Sequence, residues 1–143
     1  MKPYLVTLTL ALGATAASAE EMQIEGAYVP IAPPGVIAHA AYLALENTGD
    51  TTRSLIGVSA NGYGMAHLHQ SAESDGVATM SMIHQLDIAP RQTVKLQPGG
   101  FHIMLMRPNG PTAIGDTVPL TFTFANGAVI NVDATIRHCD AGS

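Results

Sequence analysis

A single cysteine, Cys139, sits near the C-terminus with only Asp140, Ala141, Gly142 and Ser143 after it. An exported chain with one cysteine has no internal disulfide, so its stability must come from packing. Cationic residues are also scarce. The 143 residues carry six Lys and Arg against eleven Asp and Glu, which makes nucleic acid an unfavourable partner. Apart from the N-terminus, no stretch approaches the roughly 20 apolar residues that a spanning helix needs. Nowhere beyond the N-terminus does the chain read as a capped amphipathic helix, and there is no internal repeat, low-complexity tract, paired-carboxylate arrangement or Ser-His-Asp set.

The N-terminus, MKPYLVTLTLALGATAASA, has one lysine, an apolar run from Tyr4 to Ala17 and a small-residue end at Ala17-Ser18-Ala19. It reads as a cleavable signal peptide over residues 1–19. The expectation is a periplasmic domain over residues 20–143 with a formal charge of about minus six once Lys2 is removed. That length suits one domain with a real core.

What the mature chain does have is closely spaced turn chemistry. Gly, Pro, Asn and Asp recur between short runs of β-branched and aromatic residues, the pattern of an all-β protein. Strands are expected over Met22 to Val29, His39 to Glu46, Thr52 to Val58, Ala66 to Ser71, Val77 to His84, Thr93 to Leu96, Phe101 to Arg107, Val118 to Phe124 and Ala128 to Ile136. Asn126-Gly127 between "LTFTF" and "AVINV" is the strongest hairpin signal, and Pro33-Pro34-Gly35 marks a loop. The fold class expected is all-β: a two-sheet antiparallel sandwich.

Histidine and methionine are unevenly placed. Residues 67–84, "HLHQSAESDGVATMSMIH", hold three of the six histidines and two of the seven methionines. Side chains alternate between the faces of a strand, so Met65, His67, His69 and Ser71 share one face, and Met80, Met82 and His84 share a face of the next strand. A turn centred on Ser74-Asp75 would put His69 opposite Met80. One centred on Asp75-Gly76 would put it opposite Met82. In "GGFHIMLMRP", His102, Met104 and Met106 alternate with Ile103 and Leu105. The aliphatic pair is the better core face, leaving the histidine and methionines on a face suited to a ligand. Neutral imidazoles and thioethers form a soft donor set that favours Cu(I) over magnesium, calcium or zinc. Singly, Met22, Met65 and His39 read as core filling or as ordinary polar strand residues.

The spacing of His69, Met80, His102 and Met104 is H-x10-M-x21-H-x-M. It resembles the motif of the periplasmic copper chaperone family called PCuAC, and the likeness extends through "AYLALENTGD", "LQPGGFHIMLM" and "GDTVPLTFTFANGAVINV". The resemblance implies a cupredoxin-like or immunoglobulin-like Greek-key sandwich that binds one Cu(I) through those four side chains. It also implies a non-enzymatic chaperone that delivers copper to assembly of the dinuclear copper centre of cytochrome c oxidase, alongside Sco-type proteins. Many relatives have methionine two residues after the first histidine, where this chain has Ser71. Met65, His67, Met82, His84 and Met106 are therefore not carried over as ligands. His138-Cys139 is similar to, but far shorter than, the metal-binding tails of some relatives. Cu(II) at a secondary site through His67, His84 or the tail stays open.

Three rival readings are weaker. An electron-transfer cupredoxin needs a thiolate among its ligands, and Cys139 lacks the usual histidine and methionine after it. Copper storage or tolerance would use the same donors without a recipient. A metalloenzyme would need acid or base groups beside the metal, and Glu73, Asp75 and Asp87 suit turns or solvated strand ends.

Overall fold

The computed structural model describes residues 22–139; the expected signal peptide lies outside the described residues. Ten strands follow one another: β1 (Met22–Pro30), β2 (Ala38–Asn47), β3 (Arg53–Ala60), β4 (Tyr63–Ser74), β5 (Val77–Met82), β6 (Leu86–Ile88), β7 (Thr93–Leu96), β8 (Phe101–Pro108), β9 (Thr117–Phe124) and β10 (Val129–Arg137). They form the expected β-sandwich. One ladder runs β5-β4-β8-β2 and the other β2-β1-β10-β9-β3-β6. The strand β2 belongs to both, because Ala38 to Ala41 pair with β8 while Leu43 to Glu46 pair with β7.

Alternation explains how β2 can take this position. His39, Ala41, Leu43, Leu45 and Asn47 are buried, and the residues between them are half-buried. In β9, Val118, Leu120, Phe122 and Phe124 point into the same core. Burial of each large apolar side chain contributes about 1.5–3 kcal/mol, which substitutes for the missing disulfides.

Three details depart from the sequence expectations. First, the ladder is not wholly antiparallel, since β1 pairs with β10 in parallel through Tyr28, Val29 and Pro30. A bulge between Glu25 and Tyr28 lets β1 leave its register with β2. Second, β5 stops at Met82 rather than His84. Ile83 donates its N–H to Leu68 O at 2.8 Å, after which the chain crosses to the other sheet. Third, it forms there the short strand β6, opposite Leu55 and Arg53, which the sequence pattern did not reveal. Asp87 lies within β6, and its carboxylate accepts from Ser54 Oγ at 2.6 Å and Gln85 Nε2 at 2.8 Å. The β9–β10 hairpin forms as expected, with residues 125–127 as its loop. Phe124 N–H bonds Ala128 O, and only Gly127 has positive φ, as in a three-residue loop with a bulge glycine.

The β4–β5 hairpin is the one that closes on two residues. Ser74 faces Val77, and both Asp75 and Gly76 have positive φ, 53° and 75°, as a type I′ turn requires. Gly76→Ala should cost about 1 kcal/mol locally, because a Cβ is disfavoured at that φ. Amide exchange in the β4–β5 ladder should then rise about fivefold while β9–β10 stays unchanged. Unchanged exchange in β4–β5 would refute the point.

Candidate metal centre

The turn at Asp75-Gly76 decides between the two registers: His69 faces Met82, and Ser71 faces Met80. On its other side, His69 faces His102, His67 faces Met104, and Met65 faces Met106. Directly paired residues project to the same side of a sheet. One face therefore carries His67, His69 and His102 together with Met65, Met80, Met82, Met104 and Met106. The opposite side of the same strands supplies core: Ile103 and Leu105 are buried, as the alternation predicted, and Leu68 is buried with them.

His69 is central. Its ring centroid lies 5.8 Å from that of His102 and 6.4 Å from that of His67. Met82 is beside it, while Met80 and Met104 are diagonal neighbours one rung away, still within reach of long side chains. Met80 is 52% exposed and His102 only 5%, so the face runs from a solvent-reachable edge at β5 to a covered interior at β8. This places the four motif residues on adjoining rungs of one face, with His67 and Met82 interleaved among them. Sequence reasoning kept His67 and Met82 as face-mates but had no means of ranking them by proximity.

The imidazole nitrogens differ in what they already bind. His102 Nδ1 donates to Gly100 O at 3.3 Å, which leaves Nε2 as the nitrogen carrying the lone pair. His69 Nδ1 and His67 Nε2 are buried without a hydrogen-bond partner. A buried unpaired polar atom costs about 1–3 kcal/mol, and a bond to a cation would remove that cost. Burial is the main cause holding the His69 imidazole below its ordinary titration range; the neighbouring His102 and then His67 add to it. His69 is thereby kept in the neutral form that ligates. Among the described residues, no three His, Cys, Asp or Glu side chains converge to hold a metal; the other donors beside the imidazoles on this face are thioether sulfurs, which suit soft ions.

The remaining candidates sit elsewhere. His39 is occupied at both nitrogens: Nε2 donates to Val36 O at 3.2 Å, and Nδ1 accepts from Tyr63 Oη at 2.8 Å. His84 is the exception: exposed beyond the end of β5, it lines one cavity with His67 and Met82. Cys139 is exposed after β10, a strand of the other ladder. Glu73 and Asp75 are exposed at the hairpin tip, away from the rungs that carry the imidazoles.

With this geometry in place, the relatives can be compared. A family model described as "Putative lipoprotein LpqE-like" matches residues 22–136. The chain belongs to the LpqE-like family. A relative named "Putative lipoprotein Lxx21020", from Leifsonia xyli subsp. xyli, is 29% identical over 120 residues, which cover 83% of this chain and 71% of the relative. The apo PCuAC domain from PmoF1 superposes with a TM-score of 0.70 at 22% identity, covering 83% of this chain and 95% of that domain. The Cu(I) form of DR1885 from Deinococcus radiodurans superposes with a TM-score of 0.68 at 33% identity, covering 92% of this chain and 87% of that one. The fold of this LpqE-like protein is thus that of PCuAC domains, as the sequence resemblance implied.

Proposed function

We propose that this LpqE-like protein is an exported Cu(I) carrier that holds one copper ion through His69, Met80, His102 and Met104 and hands it on without chemical change. The observation that carries the reading is the buried, unpartnered Nδ1 of His69 on a face where the nearest remaining donors are imidazole and thioether. Cu(I) is a d10 ion that accepts three or four such donors without a strict geometric demand. Neutral thioethers on the exposed β5 side allow a partner's ligands to replace them one at a time. The Cu(I) form of the similar DR1885 supports copper as the cargo. The lipoprotein description of the family supports export, for which we propose a signal peptide over residues 1–19 and a periplasmic location. Delivery to the dinuclear copper centre of cytochrome c oxidase, with a Sco-type protein acting alongside, is the recipient we propose on the strength of the motif. Copper storage or tolerance is the second reading, favoured only if no apo-recipient takes the ion.

The deciding experiment is anaerobic titration of the purified protein with Cu(I) against a colorimetric chelator, beside a variant with alanine at all four positions. One tight equivalent that the variant loses supports the site. Equal binding by both proteins rules it out.

Acidification supplies a second test. A proton competes with copper at each ligating imidazole, so affinity falls by about tenfold per pH unit for each histidine that must be deprotonated. Because the His69 imidazole is held below the ordinary value of 6.5, its contribution is small above that pH and grows as pH drops further. The same depression means that the unfolded chain takes up this proton more readily than the folded one. The stability of the apo fold therefore declines as pH falls from about 6.5 through the lowered folded value. Affinity that stays flat from pH 7.5 to 5 would contradict histidine ligation.

A further inference from the structure

His67 is left over by the four-ligand site, and its surroundings suggest a use. Its Nε2 is buried without a hydrogen-bond partner. It does not form a three-histidine cage with His69 and His102 in this structure, where no such group converges among the described residues. One rung further along the same face, Met65 and Met106 face each other directly. The strand beyond β8 contributes only Ala38 opposite Met106 and Ala40 opposite Met104, so little bulk borders the spot on that side, while Met104, which faces His67, separates it from the four-residue site. Met65 is 39% exposed, which leaves this end of the face open to solvent.

We infer that His67, Met65 and Met106 form a second station for a soft monovalent cation, Cu(I) in this setting, next to the four-residue site. The inference rests on the reading that this face binds Cu(I). One imidazole and two thioethers satisfy a three-coordinate d10 ion and offer little to Cu(II), zinc or harder cations. Same-face rungs are about 7 Å apart along a strand. Two univalent charges at that separation repel enough to weaken the second ion by roughly 3- to 50-fold relative to an isolated site, for an effective dielectric between that of water and that of a protein surface. The second station is accordingly the weaker and more exposed one, suited to receiving an ion before it moves inward or releasing it to a partner.

The test uses the purified protein labelled with 13C at the methionine methyl groups and titrated with Cu(I) under reductant without oxygen. The first equivalent should move the Met80 and Met104 resonances, and the second should move those of Met65 and Met106 with weaker affinity. In His67→Ala, the Met65 and Met106 response to the second equivalent should disappear. A Met65→Leu/Met106→Leu variant, which keeps size and apolarity, should bind one equivalent only and serves if His67→Ala misfolds. Met65 and Met106 unmoved while Met80 and Met104 shift would overturn the second station and leave the first standing. All four moving together with the first equivalent would also overturn it, by showing one extended site. No methionine moving at all would sink both readings.

Discussion

His69→Ala should weaken Cu(I) binding by at least about 100-fold, the largest loss expected from any single change on the face formed by β5, β4 and β8. Groups that merely orient a metal ligand already account for 10- to 100-fold in affinity, and His69 is proposed as a ligand itself. Its position makes compensation difficult. It stands between Met82 and His102 in direct register and diagonal to Met80 and Met104, so removing it separates the donors of β5 from those of β8. Met80→Leu should cost less, because Met82 lies on the same strand face and is 45% exposed, free to turn toward the ion. Competition titration at pH 7.5 measures both. A loss below threefold in His69→Ala would show that copper is held elsewhere.

Asn47→Ala is expected to lower stability by about 2–4 kcal/mol without touching the metal face. Asn47 is fully buried. Its Nδ2 donates to Thr51 O at 2.8 Å and Ile88 O at 3.0 Å, and its Oδ1 accepts from Gly49 N–H at 3.0 Å. One side chain thereby ties the turn after β2 to the strand β6, 41 residues away in sequence. Alanine would strand these three polar groups in or near the core, each costing about 1–3 kcal/mol where water cannot replace the lost partner. Urea unfolding should show a lower midpoint with an unchanged slope. A change under about 0.5 kcal/mol would mean that water reaches the vacated bonds.

The Asn47 clamp shows where sequence reading runs out. "ENTGD" is recognisable as a turn from its residue types, because Asn, Gly and Asp favour turns for local reasons. Nothing in it reveals that Asn47 also reaches Ile88, since that bond depends on how two distant segments pack. The strand β6 was missed for the same reason. Leu86-Asp87-Ile88 is too short to show a periodic pattern, and it becomes a strand only because Leu55 and Arg53 offer it an edge. The Asn126-Gly127 signal and the expected strand ends located the β9–β10 hairpin, while only the structure shows that Gly127, not Asn126, takes the positive φ.

At the candidate centre the division is sharper. The period of two, readable from "HIMLM" and "MAHLH", was enough to assign Ile103 and Leu105 to the core and to group the histidines and methionines on one face of each strand. This follows from local geometry: a strand alternates its side chains whatever it pairs with. The motif spacing likewise picked out His69, Met80, His102 and Met104 by resemblance.

Composition and alternation by themselves determined an all-β chain with a soft-donor face and an aliphatic one. Only the tertiary structure decided which donors are neighbours. Both hairpin registers were compatible with the sequence, and the Asp75-Gly76 turn selected the one that sets His69 against Met82. The pairing of His69 with His102 and of Met65 with Met106 joins residues more than thirty positions apart in sequence. It depends on the packing of β8 between β4 and β2. Face is a local property of a strand, whereas partner and register are set by non-local hydrogen bonding and core packing, and so the unpartnered His67 became visible only in the folded protein.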